Sequence, residues 1–266
     1  MCFETTARPP APPRTGSFGG RERLVLRSDA DFAATFARTT RDHAPGVVIL
    51  PDVRGLHPYY EALADAFADA GVHALAIDLY GRTAGADHRD EGFDYAPHRA
   101  AATDANVRAD VDAALVELRR RGASGALYAL GFCFGGRAAF MQGTREDVAG
   151  VVGFYGWPTR VEEGGSSPLE EARAGRFKAP VLAIYGGADE KIGAEDRQAF
   201  AEALSAAQVL HETVVYDGAP HSFFDRGPGP GTCPAGGTCP GTWSQHAQAC
   251  DDAWRLTLRF FGVPAA

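Results

Sequence analysis

The sequence predicts an α/β fold, with one mostly parallel central sheet and helices packed on both of its faces. Two observations carry that expectation. Short apolar runs alternate with segments of helical spacing from about residue 40 to residue 262, with no linker between them. The runs are apolar along their whole length, as strands covered on both faces are.

GVVILPDV (46–53) is short, β-branched and closed by Pro-Asp, so it reads as a buried strand. HPYYEALADAFADAG (57–71) has helical spacing and ends on a glycine stop signal. VHALAID (72–78) follows as a strand, and TDANVRADVDAALVELRRRG (103–122) as a long helix with a second terminal glycine. ALYALGF (126–132) is a strand, FGGRAAFMQG (134–143) a helix and VAGVVGFYG (148–156) a strand. Past a Gly/Ser-rich loop near 163–168, APVLAIYGGAD (179–189) and HETVVYDG (211–218) are strands on either side of the helical AEDRQAFAEALSAA (194–207). HAQACDDAWRLTLRFFG (246–262) is a closing amphipathic helix, while LVLRS near 24 and DFAATFAR near 31 predict an antiparallel edge. The Pro-, Gly- and Arg-rich start predicts a poorly ordered arm over 1–22, leaving a single domain over 23–266. The segment 227–242, GPGPGTCPAGGTCPGT, fits neither helix nor strand and reads as a surface insertion.

Bulk properties narrow the function. The chain has 266 residues, 45% apolar and 23% charged, which is the composition of a soluble globular protein. A net charge of −8 sets it against nucleic acid and anionic membranes as partners. No apolar run approaches the roughly 18 residues of a membrane span, and the start lacks the apolar stretch of a signal peptide. The expected location is the cytoplasm, where five cysteines, an odd number, read as reduced thiols. Cys233, Cys239, His246 and Cys250 are spaced more loosely than zinc ligands, so no metal is expected. A local Cys233–Cys239 disulfide is the other reading of that loop.

The chemistry concentrates in GFCFGG (131–136), at the junction of a strand and a helix. That is the context of the nucleophile elbow, G-x-nucleophile-x-G, of the α/β-hydrolase fold. The glycines make room for a sharp turn that lifts Cys133 above the sheet. The helix starting at Phe134 points its N-terminal dipole there, which favours a thiolate, and the Phe134 N–H becomes an oxyanion donor. In this fold the acid and the histidine follow later strands. Asp189, after APVLAIYGGAD, and His221, in GAPHSFF, fall at those places. The alternative for Cys133 is a small buried core residue.

Taken in order, LPDVRG, DLYGR, GFCFGG, YGGADEKI and GAPHSFFDR resemble the dienelactone hydrolase family, over roughly residues 40–262. The resemblance implies a cofactor-free thiol hydrolase of enol-lactones from the breakdown of aromatic compounds, monomeric or weakly dimeric. It makes Cys133 the nucleophile, His221 the general base and acid, and Asp189 the carboxylate that orients it. It makes the Val53 N–H the second oxyanion donor. It places Asp52 where the family has a thiol-activating glutamate, and Arg82 and Arg226 where two arginines hold a substrate carboxylate, Arg226 shifted by one residue. Tyr80, Phe223, Phe93 and Tyr155 are candidate pocket walls. The expected substrate is therefore a small, anionic lactone or ester. Another ester or thioester, or a non-catalytic binding role on the same scaffold, are the alternatives.

Overall fold

The computed structural model describes residues 7–90, 92–224 and 243–264, with the backbone alone for 243–245. Arg226 and the Cys233/Cys239 segment lie outside the described residues. Among the described residues, eight strands form one sheet in the order β1-β2-β4-β3-β5-β6-β7-β8. They are β1 (Phe18–Arg27), β2 (Asp31–Thr39), β3 (Gly46–Leu50), β4 (His73–Ile77), β5 (Leu127–Phe132), β6 (Gly150–Phe154), β7 (Val181–Gly186) and β8 (His211–Tyr216). β2 pairs antiparallel with both β1 and β4, which is the expected antiparallel edge. From β4 to β8 every pairing is parallel.

The helices are α1 (Pro58–Asp69), α2 (Gly81–Ala84), α3 (Ala96–Arg99), α4 (Asp104–Arg120), α5 (Phe134–Gln142), α6 (Pro168–Arg173), α7 (Ala194–Ala206) and α8 (Trp243–Phe260). Successive strand residues face opposite sides of a sheet. On β5, Leu127 converges with Leu118 of α4 on Gly46, while Tyr128 stacks on Phe261, just past α8, at 4.4 Å. The two helices therefore cover opposite faces. α1 joins α8 through Phe67 and Trp254, 4.6 Å apart, and α5 meets α7 through Phe140 and Phe200, 5.1 Å apart. β3 to β7 are buried along their full length, as parallel strands between two helical layers must be.

Three features differ from expectation. The arm over 1–22 is in part ordered structure: β1 begins at Phe18, Ala7 is buried, and the Trp254 Nε1–H donates to the Pro10 carbonyl at 3.0 Å. α6 follows the Gly/Ser-rich loop, started by a capping box in which Ser167 and Glu170 satisfy each other's backbone N–H groups, with Pro168 in the first turn. α2 and α3 are single turns between β4 and α4. Among the described residues no helix is long and apolar enough to cross a membrane.

Candidate active site

β5 ends at Phe132 and α5 begins at Phe134, leaving Cys133 as the residue between them, with φ 56° and ψ −113°. A side chain in that region costs about 1–3 kcal/mol and persists only where the surroundings impose it. Here the Cys133 N–H donates to the Phe154 carbonyl at 3.0 Å, and its carbonyl accepts from the Arg137 N–H at 3.1 Å. Gly131 and Gly135 let the turn close. A Cβ on Gly131 would lie 2.9 Å from the Gly136 nitrogen, and one on Gly135 would lie 2.5 Å from the Leu50 carbonyl carbon. α5 thus starts pressed against the end of β3, with Cys133 98% buried.

β5, β6, β7 and β8 are adjacent and parallel, so their C-terminal ends share one edge of the sheet. Cys133, Tyr155, Asp189 and His221 all emerge there, where open α/β sheets form their binding crevices. His221 Nδ1 bonds Asp189 Oδ2 at 2.7 Å, and Asp189 Oδ1 accepts the Lys191 N–H at 2.8 Å. Burial would raise the Asp189 pKa. The bond to His221, its charge, and the N–H groups of Lys191 and Ile192 outweigh burial and hold the carboxyl below its ordinary value. An ionised Asp189 sets Nδ1 as the protonated ring nitrogen and makes Nε2 the basic one.

The imidazole makes tilted contacts with two rings, Tyr155 at 5.0 Å and Trp157 at 5.1 Å. The Trp157 indole N–H donates to the Lys191 carbonyl at 3.1 Å, tying it to the Asp189 turn. Tyr155 (φ 38°) and Ser222 (φ 63°) are strained like Cys133, so positive φ recurs around the histidine. Sequence reasoning missed Trp157; its only signal is its place two residues past Tyr155 at a strand end.

The loop after β3 carries the other expected groups. Asp52 is fully buried; its N–H donates to the Tyr60 hydroxyl at 2.9 Å, and Oδ1 accepts the Arg54 N–H at 2.8 Å. Its Oδ2 has no hydrogen-bond partner among the described residues and lies 3.6 Å from His57 Nε2. Burial would raise the Asp52 pKa, but His57 and Arg54 pull it below the ordinary carboxylate value. His57 is buried beside it and 3.3 Å from the Arg54 guanidinium. The Val53 carbonyl accepts from the Tyr80 hydroxyl at 2.7 Å. Among the described residues the N–H groups of Val53 and Phe134 have no backbone acceptor.

The sequence profile of the dienelactone hydrolase family matches residues 32–263. The chain belongs to the dienelactone hydrolase family. A Bradyrhizobium sp. protein named "Probable 2-oxo-3-(5-oxofuran-2-ylidene)propanoate lactonase" is 31% identical over 188 residues, 68% of this chain and 74% of that protein. An Escherichia coli protein named "Putative carboxymethylenebutenolidase" is 28% identical over 221 residues, 82% of this chain and 76% of that protein. The chain also resembles the crystal structure of "Putative Dienelactone Hydrolase" from Klebsiella pneumoniae, with a TM-score of 0.73 at 24% identity over 92% of this chain and 99% of that one. At that identity the likeness concerns the fold, and the fold is that of the α/β-hydrolases.

Within this dienelactone hydrolase family member, three of the expected substrate contacts make close contacts within the protein itself. The first is Arg82. Its guanidinium is taken by Asp29, by Asp110 at 2.7 Å, by the Ser28 hydroxyl at 3.2 Å and by the Asn106 carbonyl at 3.3 Å. It fastens the β1–β2 turn to α4, because a buried Asp110 needs a cation more than solvent does. Tyr80 is 1% exposed and supports the Val53 loop from behind, with Phe93 5.7 Å from its ring. Phe223 is 3% exposed and packs under Tyr155 at 5.9 Å, its carbonyl 3.3 Å from the Sγ of buried Cys250.

Proposed function

We propose that this hydrolase opens a lactone, of the enol-lactone kind or a related ester, through a thioester on Cys133. The observation that carries the reading is the 2.7 Å His221–Asp189 bond at the same sheet edge as a strained cysteine elbow. In the first step the Cys133 sulfur gives its proton to His221 Nε2 and attacks the carbonyl carbon. The oxyanion rests on the N–H groups of Phe134 and Val53, and one such donor is typically worth about 10²–10³ in rate. The ring C–O bond then breaks, and the departing oxygen takes the proton back from His221. An enolate leaves easily, which suits the modest acid that imidazolium is. In the second step His221 deprotonates water, water attacks the thioester, and the C–S bond breaks to restore the thiol.

His221 is the proposed base for the thiol, because Asp52 is engaged with Arg54 and His57. Asp52 is assigned to shaping the oxyanion loop. The site residues need no cofactor for this chemistry. A small anionic substrate, a cytoplasmic location and a monomeric or weakly dimeric state complete the proposal.

The test is a hydrolysis screen of lactones and p-nitrophenyl esters with wild type and Cys133→Ala. Loss of all but a few per cent of turnover in a folded Cys133→Ala supports the reading. Retained turnover, or no turnover by wild type on any ester or lactone, points instead to other chemistry or to a binding role.

A further inference from the structure

Two stretches that stand out in the sequence, LPDVRG (50–55) and DLYGR (78–82), meet at the C-terminal edge of the sheet. They follow β3 and β4, which are adjacent and parallel, so the loop after one strand lies beside the end of the other. Asp78 joins them. Its own N–H is tied to the Ala33 carbonyl of β2 at 2.8 Å. Its buried carboxylate accepts the Leu56 N–H on Oδ1 at 3.0 Å and the Tyr80 N–H on Oδ2 at 2.9 Å.

Arg89, also buried, holds that carboxylate in place. Its Nη2 donates to Asp78 Oδ2 at 2.7 Å and to the Gly85 carbonyl at 2.6 Å, and Nη1 to the Ala84 carbonyl at 3.1 Å. The guanidinium lies over the Phe93 ring at 4.6 Å. The Arg89 N–H donates to the Leu56 carbonyl at 2.8 Å, so both backbone groups of Leu56 end on this ion pair.

The remaining donors of the loop are taken one by one. The Asp52 N–H goes to the Tyr60 hydroxyl, the Arg54 N–H to Asp52 Oδ1, and the Gly55 N–H to the Asp52 carbonyl at 3.0 Å. Over residues 52–56, the N–H of Val53 is the one without an acceptor among the described residues. The Val53 carbonyl is held by the Tyr80 hydroxyl at 2.7 Å. Gly55, at φ 75°, lets the loop lie on this network: a Cβ there would strike Asp78 Oδ1 and lie 3.1 Å from both Arg89 Cγ and Tyr80 Cδ2.

We propose that Asp78, Arg89 and Tyr80 are positioning residues of the reaction, acting through the loop after β3 to aim the Val53 N–H at the oxyanion. The inference rests on the oxyanion role given to Val53 above and adds the residues that make that role possible. An irregular loop has no ladder of backbone bonds, so side chains must satisfy and place its polar groups. Placement matters, because a shift of about 1 Å costs on the order of 10²-fold in rate. Paired, Asp78 and Arg89 also bring no net charge to a loop that must hold an anion.

The test separates oxyanion stabilisation from thiol activation. Alkylation of Cys133 by iodoacetamide needs the thiolate but forms no oxyanion. Tyr80→Phe deletes a single oxygen and is expected to lower kcat on p-nitrophenyl acetate about tenfold, with KM and the alkylation rate within about twofold of wild type. Arg89→Gln should lower kcat further, and Arg89→Lys, which keeps the charge beside Asp78, should recover part of the loss. Breaking a buried pair can unfold a protein, and if Arg89→Gln does not fold, Tyr80→Phe decides. An unmoved kcat in Tyr80→Phe, or an alkylation rate that falls in step with kcat, overturns the inference while wild-type turnover leaves the hydrolase reading standing. A wild type that turns over no ester overturns that reading and this one with it.

Discussion

Gly135→Ala isolates the elbow, because it leaves every polar group of the site in place. A Cβ there would press on the Leu50 and Pro51 carbonyl oxygens and lie 2.5 Å from the Leu50 carbonyl carbon, where ordinary contact begins at 3.4 Å, so α5 and the end of β3 must separate by at least about 0.9 Å. That atom is backbone in a fully buried strand, so no side chain rotates away to relieve it. Overpacking of this kind costs about 1–3 kcal/mol. Alanine's better helix propensity returns about 1 kcal/mol, so the net loss of stability is on the order of 0–2 kcal/mol. The kinetic effect is larger. Cys133 and the Phe134 N–H ride on α5 and the Val53 N–H rides on the loop after β3, so the same separation pulls the oxyanion donors apart. A displacement of about 1 Å costs on the order of 10²-fold in rate. The assay is kcat on p-nitrophenyl acetate beside denaturant unfolding. Gly175→Ala is no neutral control, since Gly175 has a positive φ of 66°; Gly193→Ala, with no atom within 4 Å of the new Cβ, is one. Wild-type kcat in Gly135→Ala would refute the reasoning.

Three further outcomes follow from the same contacts. Arg82→Ala leaves the carboxylate of Asp110, 1% exposed, without its cation, and should cost about 3 kcal/mol in denaturant unfolding while changing anionic and neutral ester turnover alike; a selective loss on the anionic ester at full stability would restore Arg82 to the site. Burial opposes ionisation of Glu61, but His88 and Arg23 hold its pKa at about 2 against an ordinary 4.5, so its stabilisation is complete above 4.5 and is lost as pH falls from 4.5 to about 2; unfolding measured across that window should fall less steeply in Glu61→Gln, and identical slopes would contradict the pairing. Asp52→Asn should change the iodoacetamide alkylation rate of Cys133 by less than about threefold, half a pKa unit, and a change of tenfold or more would make Asp52 the group that governs the thiol.

Local patterns made the sheet and the elbow legible. β3 to β7 announce themselves as short apolar runs, and the glycines of GFCFGG mark a turn whose crowding is local to β5, α5 and the end of β3. The meeting of Asp189 and His221 could be anticipated because both follow strands of one parallel sheet, whatever the sequence between them. Features set by distant partners could not. Whether Arg82 faces the crevice or turns back depends on Asp29 and Asp110, 53 and 28 residues away. The proline-rich start reads as disorder until Trp254, 244 residues on, donates to Pro10. Arg99 and Glu162 read as separate surface charges, since nothing in a spacing of 63 residues shows that α3 and the loop before α6 meet through their ion pair. α6 had a legible signal in Ser167-Pro168 followed by Glu170, hidden by the glycines and serines before it.

The central claim is a covalent intermediate on Cys133. Intact-protein and peptide mass spectrometry of enzyme quenched with acid during turnover of p-nitrophenyl acetate tests it most directly. An acetyl group is expected on the peptide carrying Cys133, formed far more slowly in His221→Ala, where the thiol loses its base, and absent in Cys133→Ala. An acyl group on another residue, or undiminished turnover by Cys133→Ala with no adduct anywhere, would contradict it.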